Sequence, residues 1–294
     1  MNDDISSVIG NTPLIQYSKN VYIKPEYGNL TGSIKDRPVY HILTKAEKLG
    51  NIKRGVTTLV EATSGNTGIA LATLAKRFGY KVKIIMPEDM SEERKRIISS
   101  LGAELIFVPS GQFQQAIDLR NKICIDLPNH YNFNQFHAVE NIEAHYLTTG
   151  LEIINDASRM NIKPVGFVCG TGTGGTFMGV SKRLIEAFGE VQCAVVEPAE
   201  SAVMSGGKPG IHKIQGIGDG SKFLVDIKRV NKIYVISSDE AISEAKRLHQ
   251  EESFFVGISS AANLIAAKRM SVELGGPVIT FFCDSGNRYI SLLE

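Results

Sequence analysis

Short apolar runs and amphipathic stretches alternate along almost the whole chain. Residues 56–61 (VTTLVE), 81–86 (KVKIIM), 105–108 (LIFV), 165–168, 194–196, 233–236 and 278–282 are apolar and rich in β-branched or aromatic positions, which predicts strands. Between them, helical spacing of apolar positions predicts helices over 68–78, 114–124, 177–187, 239–252 and 261–274. The punctuation agrees. Gly79 closes the first helix and Pro87 stops strand 81–86. Ser91 stands as an N-cap, with Glu92 and Glu93 favourably placed in the first turn. The charged run 91–96 then reads as a solvated helix face. Strand–helix alternation implies parallel strands joined by right-handed crossovers, and buried parallel strands are apolar on both faces, as these are. The expected fold class is therefore α/β, with two parallel-sheet lobes and a ligand cleft at the carboxyl ends of the strands.

Composition narrows the function classes. A chain of 294 residues suits two domains or one large one. A net charge of +1, from 32 basic and 31 acidic residues, argues against a surface built for nucleic acid. No run approaches the roughly 20 apolar residues of a membrane span, and Met1-Asn2-Asp3-Asp4 lacks the layout of a secretion signal. Cys124, Cys169, Cys193 and Cys283 form no C-x-x-C pair, so reduced thiols and a cytoplasmic location are expected. His41, His130, His137, His145, His212 and His249 show no ligand spacing; they read as surface or packing residues, and no metal is expected.

Three polar turns at helix starts carry the candidate chemistry. Gly170-Thr171-Gly172-Thr173-Gly174-Gly175-Thr176 follows an apolar strand and opens a helix. Glycines admit close approach of backbone N–H groups to an anion, the helix N-terminus adds partial positive charge, and the threonines add hydroxyls: a phosphate cradle. Gly170, Gly172 and Gly175 also satisfy G-x-G-x-x-G, with Glu197 22 residues beyond Gly175, so a nicotinamide dehydrogenase is a rival reading of this turn. In the second turn, Thr63, Ser64, Asn66 and Thr67 surround Gly65, more polar groups than one N-cap needs, and they suit a carboxylate. The third, Gly32-Ser33-Ile34-Lys35-Asp36-Arg37, places Lys35 at a helix start, where a cation is electrostatically unfavourable. A surface lysine and a Schiff-base lysine both fit that position.

In order along the chain stand IGNTPL (9–14), GSIKDR (32–37), EATSGNTGIALA (61–72), MPEDMSEERK (86–95), LGAEL (101–105), TTGLEI (148–153), GTGTGGT (170–176), IQGIG (214–218), VGISS (256–260) and CDSGNRYIS (283–291). With these, the sequence closely resembles the cysteine synthase (O-acetylserine sulfhydrylase) and cystathionine β-synthase family of fold-type II pyridoxal-phosphate enzymes, and most of all its cysteine synthase B branch. The resemblance implies a tryptophan synthase β-like arrangement of two three-layer αβα lobes with the cofactor cleft between them. Residues 36–145 would form a smaller mobile lobe, and 1–35 with 146–294 a larger one.

The resemblance also implies roles. Lys35 would carry pyridoxal 5′-phosphate as a Schiff base and take the substrate α-proton. Gly172, Thr173, Gly174, Gly175 and Thr176 would cradle the phosphate. Asn66 would bond the ring hydroxyl, and Ser285 would face the ring nitrogen. Thr63, Ser64, Thr67 and Gln135 would bind the substrate carboxylate. The implied reaction is β-replacement at a small amino acid through an α-aminoacrylate. The expected form joins O-acetylserine or O-phosphoserine to sulfide in a cytoplasmic homodimer, with serine acetyltransferase as a conceivable partner. The alternative consumes cysteine and releases hydrogen sulfide. It draws on Asp219, which stands where sulfide-using relatives often have alanine. A carboxylate there could activate water or repel hydrosulfide. Two further departures are Asn29-Leu30-Thr31 and Ala261-Ala262-Asn263, which replaces a glycine-led continuation. Cys283 reads as a packing thiol.

Overall fold

A computed structural model describes residues 5–63 and 65–294; Ser64, one of the expected carboxylate contacts, lies outside them. In chain order the elements are β1 (Ile15–Ser18), β2 (Val21–Pro25), α1 (Asp36–Lys48), β3 (Thr58–Ala62), α2 (Asn66–Phe78), β4 (Lys81–Pro87), α3 (Glu92–Ser100), β5 (Glu104–Val108) and α4 (Phe113–Asp126). They continue with β6 (His130–Asn132), α5 (Val139–Ala144), a π-helical turn His145–Thr149, α6 (Gly150–Arg159), β7 (Gly166–Gly170), α7 (Gly175–Phe188) and β8 (Gln192–Pro198). The last are β9 (Lys232–Ile236), α8 (Ser238–Glu252), α9 (Ile258–Leu274), β10 (Val278–Phe282) and α10 (Ile290–Leu293).

These elements form two compact units. One takes Lys35–Glu140; the other takes the described residues up to Ile34 together with Asn141–Glu294. The larger unit holds a six-stranded sheet of order β1-β2-β10-β7-β8-β9. Alternate residues of its strands face opposite layers. Val168, Ala194, Val196, Val278 and Phe282 join Ala241, Ala245, Leu248 and Ala262 of α8 and α9 in one buried cluster. Phe167, Cys169, Cys193, Val195 and Phe281 join Ile153, Phe177, Val180 and Leu184 of α6 and α7 in another. Burial on both faces explains why these strands read as continuous apolar runs. The smaller unit holds a four-stranded parallel sheet of order β5-β4-β3-β6. Val60, Ala62 and Ile85 meet Ala116 and Ile117 of α4 on one face.

One strand departs from the all-parallel expectation: β1 pairs antiparallel with β2, with a register irregularity between Gln16 and Ser18. It is an edge strand of alternating half-buried and exposed residues, so its weak apolar signal left it out of the sequence pattern. Ser91 occupies the N-cap position of α3, but its hydroxyl makes no capping bond. Among the described residues no helix is long and apolar enough to cross a membrane.

Both sheets contain a point where chain order reverses. In the larger sheet, β7 leads to β8 and β9 on one side while β10 lies on the other. In the smaller sheet, β3 leads to β4 and β5 on one side and β6 lies on the other. Ligands bind outside the carboxyl ends of strands at such points.

Candidate active site

In the smaller unit, the reversal lies between β3 and β6. Beyond the end of β3 come Thr63, Gly65 and Asn66, the first residue of α2. Beyond β6 comes Gln135. The Thr67 hydroxyl donates to Gln135 Oε1 at 2.6 Å, joining two residues 68 positions apart. A hydroxyl donated into the carboxamide oxygen leaves the carboxamide nitrogen as Gln135's donor end. The Thr63 hydroxyl accepts from the backbone N–H of Gly65 at 3.3 Å, which closes the turn. Thr63, Thr67 and Gln135 are buried and Asn66 is half-buried. Lys35 is the N-cap residue of α1, half-buried, and its carbonyl accepts from Val39 N–H at 3.2 Å. Its own helix supplies no favourable charge at that end, because the first-turn N–H groups are positive.

In the larger unit, the reversal lies between β7 and β10. The glycine positions of the turn after β7 leave no room for side chains. A Cβ at Gly172 would lie 2.7 Å from the Gly216 carbonyl oxygen and 3.1 Å from Asp219 Oδ2. One at Gly174, whose φ is +89°, would lie 2.6 Å from Val225, and one at Gly175 would lie 2.0 Å from Asn141 Oδ1. α7 begins at Gly175, so its N-terminal amides open onto this turn. The Thr173 hydroxyl accepts from Asn141 Nδ2 at 3.0 Å and from Gly175 N–H at 3.3 Å. The Thr176 hydroxyl meets His145 Nε2 at 3.2 Å, and His145 Nδ1 meets the Thr149 hydroxyl at 2.9 Å. His145 is thus buried as packing suggests, yet it contacts a residue of the expected cradle.

Asp219 is exposed on a loop fastened to the glycine turn. Gly218 N–H donates to the Thr171 carbonyl and Leu224 N–H to the Thr173 carbonyl, each at 3.1 Å. The Gly218 carbonyl accepts in turn from the Ser201 hydroxyl. Past β10, the Ser285 hydroxyl accepts from Asn287 N–H at 3.3 Å, which leaves its proton for another acceptor. Its neighbour Asp284 is fully buried and accepts from the Tyr289 hydroxyl at 2.6 Å. One residue ties the two strand ends together, and in the sequence it stood out only as part of a departure from a glycine-led pattern. Asn263, fully buried in α9, accepts from Gly170 N–H at 2.7 Å. It donates to the Phe281 carbonyl at 3.1 Å and to Cys283 Sγ at 3.4 Å.

Other candidates fall away. Burial pushes the Cys193 thiol up to about 12 and the Cys124 thiol up to about 11, so neither is a nucleophile near neutral pH. Glu197, which the nicotinamide reading needs for a ribose, spends both oxygens on the backbone N–H groups of Met204 and Ser205, at 2.8 and 2.9 Å. That reading is corrected: Glu197 anchors a loop.

A glycine-rich turn at a helix N-terminus, with a hydroxyl past the adjacent strand, fits a phosphorylated heteroaromatic cofactor. The sequence comparison agrees: residues 5–284 match the family described as pyridoxal-phosphate dependent enzyme, and the chain belongs to it. Its cofactor is pyridoxal 5′-phosphate, and its fold is that of fold-type II enzymes of the cysteine synthase type. A cysteine synthase of Staphylococcus aureus is 37% identical, over 98% of this chain and 96% of that one. Cysteine synthase B of Campylobacter jejuni is 38% identical, over 99% and 98%. The solved structure of a hydrogen sulfide-producing enzyme from Fusobacterium nucleatum is 37% identical, with a TM-score of 0.94, covering 99% of this chain and 91% of that one. A D-to-N mutant of such an enzyme, complexed with an α-aminoacrylate intermediate, is 38% identical with a TM-score of 0.92, covering 98% and 90%.

Proposed function

We propose that the protein exchanges the β-substituent of a small amino acid and works as a cysteine synthase, joining an O-activated serine to sulfide. The observation that carries the amino-acid part is the Thr67–Gln135 hydrogen bond, which presents a carboxamide donor beside the polar turn at 63–67. Such a turn, at the N-terminus of α2, suits the α-carboxylate. The bound cofactor supplies an electron sink for the α-carbon. Lys35 would hold the cofactor covalently, and its Nζ would be placed to take the substrate α-proton. The 172–176 turn would bind the phosphate. Asn66 would bond the ring hydroxyl, and Ser285 Oγ would donate to the ring nitrogen. A neutral hydroxyl there would not stabilise a protonated ring as a carboxylate would. A cytoplasmic homodimer is the expected setting; four cysteines that form no disulfide among the described residues suit a reducing compartment.

A second reading is favoured by one feature, the Asp219 carboxylate over Gly172. In the cysteine-consuming direction, water replaces the thiol: cysteine and water give serine and hydrogen sulfide. Asp219 would take the proton from the attacking water. The two directions separate in one experiment. Holoenzyme is supplied with O-acetylserine and sulfide, or with cysteine alone, for wild type and Asp219→Ala. Cysteine formation that dominates in both supports the synthase. Sulfide release that dominates in wild type and is lost in the variant supports the second reading. Turnover of neither substrate contradicts β-replacement altogether.

A further inference from the structure

The smaller unit buries an ion pair that none of the assigned roles uses. Glu61 and Arg120 are 0% and 1% exposed, and Arg120 Nη1 lies 2.8 Å from Glu61 Oε1. Burying two charges is costly unless every lone pair and proton is satisfied, so a pair retained at full burial points to something it holds. Here Glu61 Oε1 also accepts from Ala62 N–H at 2.7 Å, and Oε2 accepts from Gln135 N–H at 2.8 Å. Arg120 completes the frame. Its Nη2 donates to Asn134 Oδ1 at 3.2 Å and to Asn121 Oδ1 at 3.0 Å, and Asn121 Oδ1 accepts further from Asn132 Nδ2 at 2.9 Å.

The topology gives the pair its meaning. Glu61 lies near the end of β3, two residues before Thr63. Asn132 ends β6, and Asn134 and Gln135 follow it; Arg120 comes from α4. The two charges therefore clamp both strand ends at the point where the order of the smaller sheet reverses. Glu61 holds the Gln135 backbone, and the Gln135 side chain holds Thr67.

We infer that the buried Glu61–Arg120 pair is a positioning device for the substrate carboxylate, fixing Gln135 against the 63–67 turn so that their donors converge on one oxygen pair. This rests on the reading of Thr67 and Gln135 as carboxylate ligands. Neither Glu61 nor Arg120 touches substrate; both act through Gln135. Removing the two charges loosens Gln135 and weakens carboxylate recognition while the cofactor's attachment remains.

The test compares two ligands of the holoenzyme, followed by the cofactor's visible absorbance. L-alanine offers an amine and a carboxylate, and ethylamine the amine alone. The variants are Glu61→Gln/Arg120→Met, which removes both charges at similar volume, and Asn134→Gly, which removes one Arg120 partner. The second is well tolerated in the fold, because Asn134 has φ +53°. The paired variant is expected to weaken L-alanine binding roughly tenfold, the loss of about one charge-assisted hydrogen bond, with ethylamine binding unchanged. Asn134→Gly is expected to show the same selectivity at roughly two- to threefold, and it decides the matter if the paired variant fails to fold. Equal weakening of both ligands, or no weakening of either, overturns the proposal. Gln135→Leu separates the two levels. If it leaves L-alanine binding intact, the carboxylate reading itself is wrong. If it weakens L-alanine while the Glu61, Arg120 and Asn134 variants do not, only the positioning role is wrong.

Discussion

Ser285 and Asp284 are adjacent, yet their surroundings assign them opposite work. Asp284 is fully buried and tied to the Tyr289 hydroxyl, whereas the half-buried Ser285 uses its oxygen on a backbone N–H and keeps a proton to donate. Replacing Ser285 by alanine removes one neutral hydrogen bond; replacing it by aspartate puts a charge where a ring nitrogen would become protonated. We expect Ser285→Ala to retain turnover within about threefold and Ser285→Asp to lose at least about tenfold, measured as steady-state cysteine formation. An aspartate variant as fast as wild type contradicts the assignment. The motif CDSGNRY pointed to Ser285, because the residue type and its order along the chain are the signal. Asn263 could not be found that way. It stood out only as a departure from a glycine-led pattern, and its three bonds to Gly170, Phe281 and Cys283 come from long-range folding. Asn263→Leu removes the side-chain partner of the half-buried Gly170 N–H and of the buried Phe281 carbonyl, costing roughly 2–4 kcal/mol of folding stability. Chemical unfolding of the apoprotein reads that loss, and stability equal to wild type contradicts it.

At the level of elements, the start of α7 concentrates the constraint. A glycine at 175 is required by its neighbour rather than by its own dihedral angles. An added methyl would fall 2.0 Å from Asn141 Oδ1, and Asn141 in turn donates to the Thr173 hydroxyl. Gly175→Ala must therefore push Asn141 away and release Thr173. We expect it to weaken cofactor retention roughly tenfold or more in equilibrium dialysis, the equivalent of about 1.4 kcal/mol. Gly175→Ala/Asn141→Ala should recover part of the loss by giving the methyl room. A double variant no better than the single contradicts this account of the turn. The glycine turn stood out in the sequence as a candidate anion site because it sits between an apolar strand and a helix. Its dependence on α5 and the π-helical turn His145–Thr149 was not, because neither short segment has a periodic signal of its own. The doubly buried strands β7, β8 and β10 were legible as apolar runs, whereas β2, equally buried but carrying Lys24 and Pro25, and the edge strand β1, with one wet side, were not.

At the level of the whole molecule, each unit places its candidate functional turns where the strand order of its own sheet reverses. In the larger unit these are the glycine turn after β7 and Ser285 after β10; in the smaller, the 63–67 turn after β3 and Gln135 after β6. Strand–helix alternation in the sequence implied parallel sheets, but the positions of β6 and β10 within them depend on which strands pair. Local pattern does not encode that pairing. The central claim is that this apparatus serves a cofactor held on one lysine. Borohydride reduction of the holoenzyme fixes the cofactor to the nitrogen that carries it, and peptide mapping then identifies the residue. The account predicts the adduct on Lys35, with Lys35→Ala devoid of both adduct and turnover; an adduct on any other lysine, or none, contradicts it.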